Sequence, residues 1–303
     1  MGVHEVEQYG RPRMNLFDRI RVFLEMIKFA HTVFALPFAF TGAVLAARGL
    51  PGFSRMFWII MAMVGARTAA MSLNRLIDAE IDGRNPRTSG RALPAGLLGK
   101  WMVVVFIVLS LALMLFAARM LNPLCLYLSP LALFFLVLYS YCKRFTALAH
   151  LVLGLCLAAA PLGAWIAISG TVEFPAIILA LAVLFWVAGF DILYALQDLA
   201  FDQSSGLHSI PVRLGVNGSL RVARIFHLLM LVLLTALFFM MQLGPYYLIG
   251  LSLSLVMIAY EHWLLRDGDL ARLDAAFFNM NGYISVTIFV FTLLDTLLHK
   301  GGA

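Results

Sequence analysis

The chain has 303 residues, of which 62% are hydrophobic and 13% charged, with a formal net charge of +6. That apolar share lies far above the roughly 45–50% of a soluble globular domain, which excludes an ordinary water-soluble enzyme and points to an integral membrane protein. Its basic residues are scattered over short loops and no soluble stretch is long enough to carry a binding fold, so nucleic acid is excluded as a partner.

Residues 1–25 are polar and form an N-terminal segment expected on the cytoplasmic side. No cleavable leader is evident, because the first apolar run is too long for a signal-peptide core. Residues 26–303 read as one membrane domain. Apolar runs of about 17–25 residues, enough to cross roughly 30 Å of hydrocarbon as helices, are predicted near 27–47, 56–74, 101–120, 122–141, 149–169, 174–195, 221–241, 245–264 and 277–298. The expected fold is therefore an all-α integral membrane protein with nine transmembrane helices. Pro37 is expected to kink the first of them. Sixteen of the 22 Lys and Arg residues fall on one side of this arrangement, and the positive-inside rule then places the N-terminus in the cytoplasm and the C-terminus outside, as in a bacterial inner-membrane protein. Cys125, Cys142 and Cys156 lie in or at the ends of spans without metal-ligand spacing and read as packing residues.

Two acidic stretches stand out. Asp78, Glu80 and Asp82 follow the second span, and Asp191, Asp198 and Asp202 end the sixth in "DILYALQDLAFDQ". The two spans run in the same direction, so both stretches reach the cytoplasmic face. Continued as helices at 100° per residue, Asn74, Asp78 and Asp82 step round by about 40° at a time, and Asp191, Asp198 and Asp202 fall within about 20° of one line. Unpaired charges in lipid cost about 2.5–3.5 kcal/mol each, so the acids are expected to line a wet cavity with cations. Carboxylates with an Asn carbonyl suit Mg2+, which is held by one or two carboxylates plus substrate phosphates. An ion relay in a transporter is the competing reading.

Basic residues surround these acids. "GRNPRTSGRALPAG" supplies Arg84, Arg87 and Arg91, and "YSYCKRF" supplies Lys143 and Arg144, with Tyr139 one helical turn before Lys143. Lys28 and His31 begin the first span on the same face. Cations beside metal-bound acids suit a phosphate-rich anion better than a transported cation. The polar loop "DQSSGLHSIPVRLG" is placed to act as a lid, with His208, Ser209 and Arg213 as contacts.

Asn74, Asp78 and Asp82 followed by "RTSGRALPAG", the Tyr139 to Lys143 pair, and "DILYALQDLAFD" together resemble the UbiA superfamily of intramembrane aromatic prenyltransferases, over essentially the whole chain. Relatives often carry Asn-Asp where this chain has Asn74-Arg75, and Arg-Pro-Leu-Pro where it has Arg91-Ala92-Leu93-Pro94; Arg75 is expected off the metal-binding face. The resemblance implies nine helices around a central cavity open to the cytoplasm and laterally to lipid. It further implies that Asn74, Asp78 and Asp82 hold one Mg2+ and that Asp198 and Asp202 hold a second. The substrate would be a polyprenyl diphosphate whose phosphates meet Lys143, Arg84, Arg87, Arg91 and Lys28. Asp191, Tyr139 and Arg144 are the catalytic candidates, with Asp191 lining the cavity or placing the acceptor and Arg144 meeting the acceptor's carboxylate. The implied acceptor is a small aromatic acid, 4-hydroxybenzoate as in ubiquinone synthesis. The stretch "KFAHTVFALPFAF" also resembles a menaquinone-linked subgroup that uses a dihydroxynaphthoate.

Two other classes fit less well. A CDP-alcohol phosphotransferase also uses a DxxxD pair, but its Asp-Gly and Ala-Arg framework is not present. A transporter needs a polar path through the outer half, which is almost free of polar residues.

Overall fold

The computed structural model describes residues 15–27, 36–265 and 273–299, with Leu16 and residues 273–279 as backbone only. The described residues are helical, without a strand: α1 (Leu16–Met26), α2 (Leu36–Ala47), α3 (Phe53–Arg84), α4 (Lys100–Leu121), α5 (Pro123–Cys142), α6 (Ala149–Ser169), α7 (Phe174–Ala195), a 3-10 turn (Leu196–Asp198), α8 (Leu199–Ser204), α9 (Ile210–Met241), α10 (Pro245–Leu264) and α11 (Leu273–Leu298). Among them eight helices are long and apolar enough to cross a bilayer, namely α3 to α7 and α9 to α11. The first predicted span appears as the shorter apolar α2, with residues 28–35 outside the described ones. Pro37 is the second residue of the described part of α2, and the residues before Leu36, on which its expected kink depends, lie outside the described ones.

Local chemistry sets the helix ends. The Asn122 side chain accepts from the Cys125 N–H at 2.9 Å, and Pro123 opens α5. Ser209 caps α9 by accepting from the Val212 N–H at 3.2 Å, with Pro211 in the first turn; both are helix-start signals. The predicted lid is consequently shorter than expected. Asp202 lies in α8 and Arg213 in α9, leaving Ser205–Ser209 as the connecting loop. Gly215, at φ 67°, kinks the first turns of α9 away from the rest, a backbone conformation that glycine adopts without strain.

In lipid, helices associate through close packing and not through apolar transfer. Here α3 packs on α4, α6 on α7, α7 on α9, α10 on α11, and α2 on both α6 and α11. The main core joins Phe38, Trp165, Trp186, Met230, Ile258 and Ile288 from six helices. Glycines allow the closest approaches: a Cβ at Gly65 would strike the α4 backbone at Ser110 and Met114, and one at Gly154 the Leu184 carbonyl. The amphipathic α1 lays Phe23 and Met26 on Leu98, Val103 and Ile107, with Phe23 stacked on Phe106 at 3.8 Å. Asp295, a buried acid outside the two stretches, accepts from the Gly244 and Tyr247 N–H groups at 2.6 and 3.2 Å and so caps the start of α10.

Candidate active site

The helix α3 continues past its apolar part to Arg84, because the first strong breaker is Asn85-Pro86. Asn74, Asp78 and Asp82 therefore share one face, as the spacing predicts. Asp78 is 2% exposed. Its Oδ2 accepts from Asn74 Nδ2 at 3.0 Å and from Lys143 Nζ at 2.7 Å. Its Oδ1 lies 3.1 Å from Arg144 Nη2, outside hydrogen-bond alignment. Arg144 also donates to the carbonyls of Ser140 and Ile77 at 2.7 and 2.9 Å. Asp82 pairs with Arg91 at 2.6 Å, and Arg75 Nη1 lies 3.7 Å from the same oxygen. Arg75, expected off this face, is thus a buried neighbour of Asp82, because seven helical residues turn through about 700° and bring its Cα direction within about 20° of that of Asp82.

The end of α7 supplies the opposite wall. The 3-10 turn at Leu196–Asp198 interrupts the regular helical step assumed for Asp191, Asp198 and Asp202, and the acids take different partners. Asp198 Oδ1 accepts from Arg87 Nε at 2.7 Å and from Asn85 Nδ2 at 3.0 Å, and its Oδ2 meets Arg87 Nη2. Arg87 also donates to the Tyr194 hydroxyl at 3.2 Å. Asp202 has no ion-pair partner among the described residues and interacts electrostatically with Asp198, Lys143, His150 and Arg87. The His208 N–H donates to the Lys143 carbonyl at 2.8 Å, which ties the Ser205–Ser209 loop to the end of α5.

Deeper along α7, Asp191 Oδ2 lies 2.7 Å from His150 Nδ1 at the start of α6. Tyr139 on α5 interacts electrostatically with both Asp191 and Asp78, which links the two acidic sets.

Asn74, Asp78, Asp82, Arg87, Arg91, Lys143, Arg144, Tyr139, Asp191, Asp198 and Asp202 thus gather at one end of the bundle. Arg84 does not join them; it pairs with Glu80 on the exposed side of α3. Lys28 and His31 lie outside the described residues. Several participants escaped sequence reasoning. Asn85 and Tyr194 are reached through loop and turn geometry that no spacing reveals, and His150 needs the α6–α7 contact. Arg67 had a usable signal: it precedes Asn74 by seven residues and Asp78 by eleven, which puts it within about 20° of their face and about 16 Å further along the helix. Its Nε is buried without a hydrogen-bond partner.

Among the described residues no group of three His, Cys, Asp or Glu is assembled as a metal cage. The donor chemistry is nevertheless that of a hard cation shared with substrate. All the candidates are oxygen donors, and Asp78 keeps one buried oxygen outside any hydrogen bond. Mg2+ is bound in this way, through one or two carboxylates with phosphate oxygens completing its shell.

Known proteins resemble this chain in sequence and in fold. A family model described as the UbiA prenyltransferase family matches residues 35–283. The 4-hydroxybenzoate octaprenyltransferase of Vibrio atlanticus is 33% identical over 250 residues, covering 82% of this chain and 86% of that protein. The protein of the same name from Nitrosospira multiformis is 32% identical over 258 residues, covering 85% and 88%. Among solved structures, the apo UbiA homologue from Aeropyrum pernix superposes with a TM-score of 0.81 at 32% identity, over 88% of this chain and 98% of that one. A UbiA homologue from Archaeoglobus fulgidus bound to DMAPP and Mg2+ shares the fold, with a TM-score of 0.68 at 19% identity over 91% and 99%. On these grounds the chain, a multi-pass integral membrane protein, belongs to the UbiA prenyltransferase family.

Proposed function

We propose that this protein transfers a polyprenyl group from a polyprenyl diphosphate to a small aromatic acid, 4-hydroxybenzoate, at the cytoplasmic end of the bundle. Residues 26–303 act as one nine-helix domain preceded by a short cytoplasmic segment. The observation that carries this reading is the meeting of Asp78, Asp82 and Asp198 with Lys143, Arg144, Arg91 and Arg87. A site for a metal-bound diphosphate needs both signs of charge within a few ångströms, and a lipid-embedded protein can hold them only as pairs. Substrate binding then exchanges partners. The acids would hold the cation, and Lys143, Arg87 and Arg91 would turn to phosphate oxygens, bidentately in the case of the arginines. Arg84 stays at the rim, where it adds to the attractive field.

Asn74, Asp78 and Asp82 would hold one Mg2+ and Asp198 and Asp202 a second, supplying Lewis-acid neutralisation to the departing diphosphate. The basic side chains stabilise the same charge as the allylic C–O bond breaks. The apolar tail leaves the site between helices into lipid, and the apolar walls exclude the water that would trap the allylic cation. The ring carbon beside the acceptor's hydroxyl group takes the prenyl group. Support for a prenyl diphosphate and Mg2+ comes from the shared fold of the Archaeoglobus fulgidus homologue, and support for the acceptor from the names of the relatives.

The test uses purified protein in lipid with Mg2+, a labelled polyprenyl diphosphate, and either 4-hydroxybenzoate or a dihydroxynaphthoate, with product read by mass. Prenylated benzoate is the expected result. Prenylated naphthoate would move the protein to the second acceptor, and diphosphate release without an aromatic product would remove aromatic acids as acceptors.

A further inference from the structure

The contact between His150 and Asp191 is not used by any step above. His150 Nδ1 lies 2.7 Å from Asp191 Oδ2, with side-chain exposures of 5% for the histidine and 20% for the aspartate. Asp78, Asp82 and Asp198 are each held by Lys or Arg. Asp191 has an imidazole instead. It also sits on the regular part of α7, before the 3-10 turn that carries Asp198, and acts electrostatically on Tyr139 together with Asp78.

We propose that Asp191 is the group that takes the proton released by the acceptor ring, and that His150 is the positioning residue that aims it. The inference rests on the aromatic-acceptor reading above. Prenylation of a ring carbon must lose one proton: the new C–C bond forms with two ring π electrons, and the diphosphate departs with the pair of the broken C–O bond. The C–H pair then returns to the ring as the proton leaves. A carboxylate clamped by Lys or Arg is a poor acceptor for it, because protonation strands the partner cation. Asp191 has neither a Lys nor an Arg partner among the described ion pairs, so its protonation strands no such cation.

His150 fits the positioning role by its hydrogen-bond state. In the proposed dyad His150 donates Nδ1–H to Asp191 and keeps a lone pair at Nε2. That atom is buried with no partner, and an orphan acceptor is tolerated better in an interior than an orphan N–H. The imidazole is thereby fixed in one tautomer, as histidines held by carboxylates generally are. It occupies one oxygen of Asp191 and orients the carboxylate. The more exposed carboxylate is the partner able to touch substrate, while the imidazole backs it from the α6 side.

The experiment compares wild type, His150→Asn, His150→Leu and Asp191→Asn in lipid, using 4-hydroxybenzoate with hydrogen or deuterium at the carbons beside the hydroxyl group. Asn places an N–H near the position of Nδ1, and Leu does not. Expected for His150→Leu is a fall in kcat of about a hundredfold, the lower end for general base catalysis, with the KM for prenyl diphosphate within about twofold and a kcat isotope effect of about two or more that wild type lacks. His150→Asn should recover most of both changes. Asp191→Asn, an isosteric change on α7, should show the same isotope effect with a larger loss, and it carries the comparison if His150→Leu fails to fold. An unchanged isotope effect in Asp191→Asn, or a His150→Asn variant no better than His150→Leu, would overturn the dyad while leaving wild-type prenylation intact. No aromatic product from wild type, despite prenyl diphosphate binding, sinks both readings.

Discussion

Arg87 and Asp198, 111 residues apart in sequence, form a two-point contact that joins the loop after α3 to the end of α7, with Nε 2.7 Å from Oδ1 and Nη2 on Oδ2. Burial by itself pulls the Arg87 pKa down, but the hydrogen bond and charge of Asp198, with Tyr194, more than reverse this and leave it above the ordinary arginine value. Arg87 therefore stays a cation at every working pH. It holds the two acidic walls in register and is available to turn toward a phosphate.

Arg87→Met is accordingly expected to lower kcat/KM for prenyl diphosphate at least tenfold, because the charge-assisted contact it would make is worth about 1.5–3 kcal/mol. The effect on folding should be small. The two side chains are 34% and 19% exposed, and solvent-screened pairs contribute about 0–1 kcal/mol. Kinetics and thermal unfolding in the same detergent separate the two. A large loss of Tm with normal kinetics in the surviving protein would make Arg87 a structural tie only.

Asp78→Asn and Asp198→Asn are each expected to abolish turnover while leaving folded protein. Asn preserves the shape of Asp but removes the charge, so Lys143 and Arg144 lose their common partner in the first variant. With those two cations each 31% exposed, the stability cost should stay near 1–3 kcal/mol. Full activity in either variant, read by product mass, would remove the two-ion reading.

The α6–α7 contact that brings His150 to Asp191 depends on Gly154, where a Cβ would run into the Leu184 carbonyl. Gly154→Ala should lower stability by about 1–3 kcal/mol, the usual range for overpacking. Gly163, on the same helix, has nothing within 4 Å of such a Cβ. Gly163→Ala should be neutral or stabilise by up to about 1 kcal/mol, so the pair of melting curves isolates the contact from helix propensity.

The sequence discloses what depends on period and on long apolar runs. Asn74, Asp78 and Asp82 share a face because α3 is a regular helix through all three, and the spans are apolar enough to be found one by one. The places where sequence reasoning failed are breaks in regularity. Three residues of 3-10 helix interrupt the regular step from Asp191 to Asp198. Ser209 and Pro211 start a helix inside a stretch whose polarity reads as loop. His150 looked like any residue opening an apolar span, because its partner lies on another helix and pairing across helices has no local signature. Arg67, by contrast, is legible from its spacing to Asn74 and Asp78.

Arg67 supports the last prediction. Its Nε has no hydrogen-bond partner and no carboxylate pairs with its guanidinium among the described residues. An uncompensated cation inside a membrane span costs free energy, and such a cost is retained where a ligand repays it. Gly65, two residues earlier, packs against α4; two helical steps of 100° turn Arg67 to the opposite side, onto the face of Asn74 and Asp78. Arg144, expected from the sequence to meet the acceptor's carboxylate, lies against Asp78 and donates to two carbonyl oxygens. On the proposed aromatic-acid reading, Arg67 is a second cation able to anchor that carboxylate. Arg67→Gln should raise the KM for 4-hydroxybenzoate roughly tenfold or more, as expected for loss of a charged hydrogen bond, and leave the KM for prenyl diphosphate nearly unchanged. Arg144→Ala should do the reverse, weakening diphosphate use through Asp78. Equal effects of Arg67→Gln on an aromatic acid and on its uncharged amide would show that the arginine recognises no carboxylate.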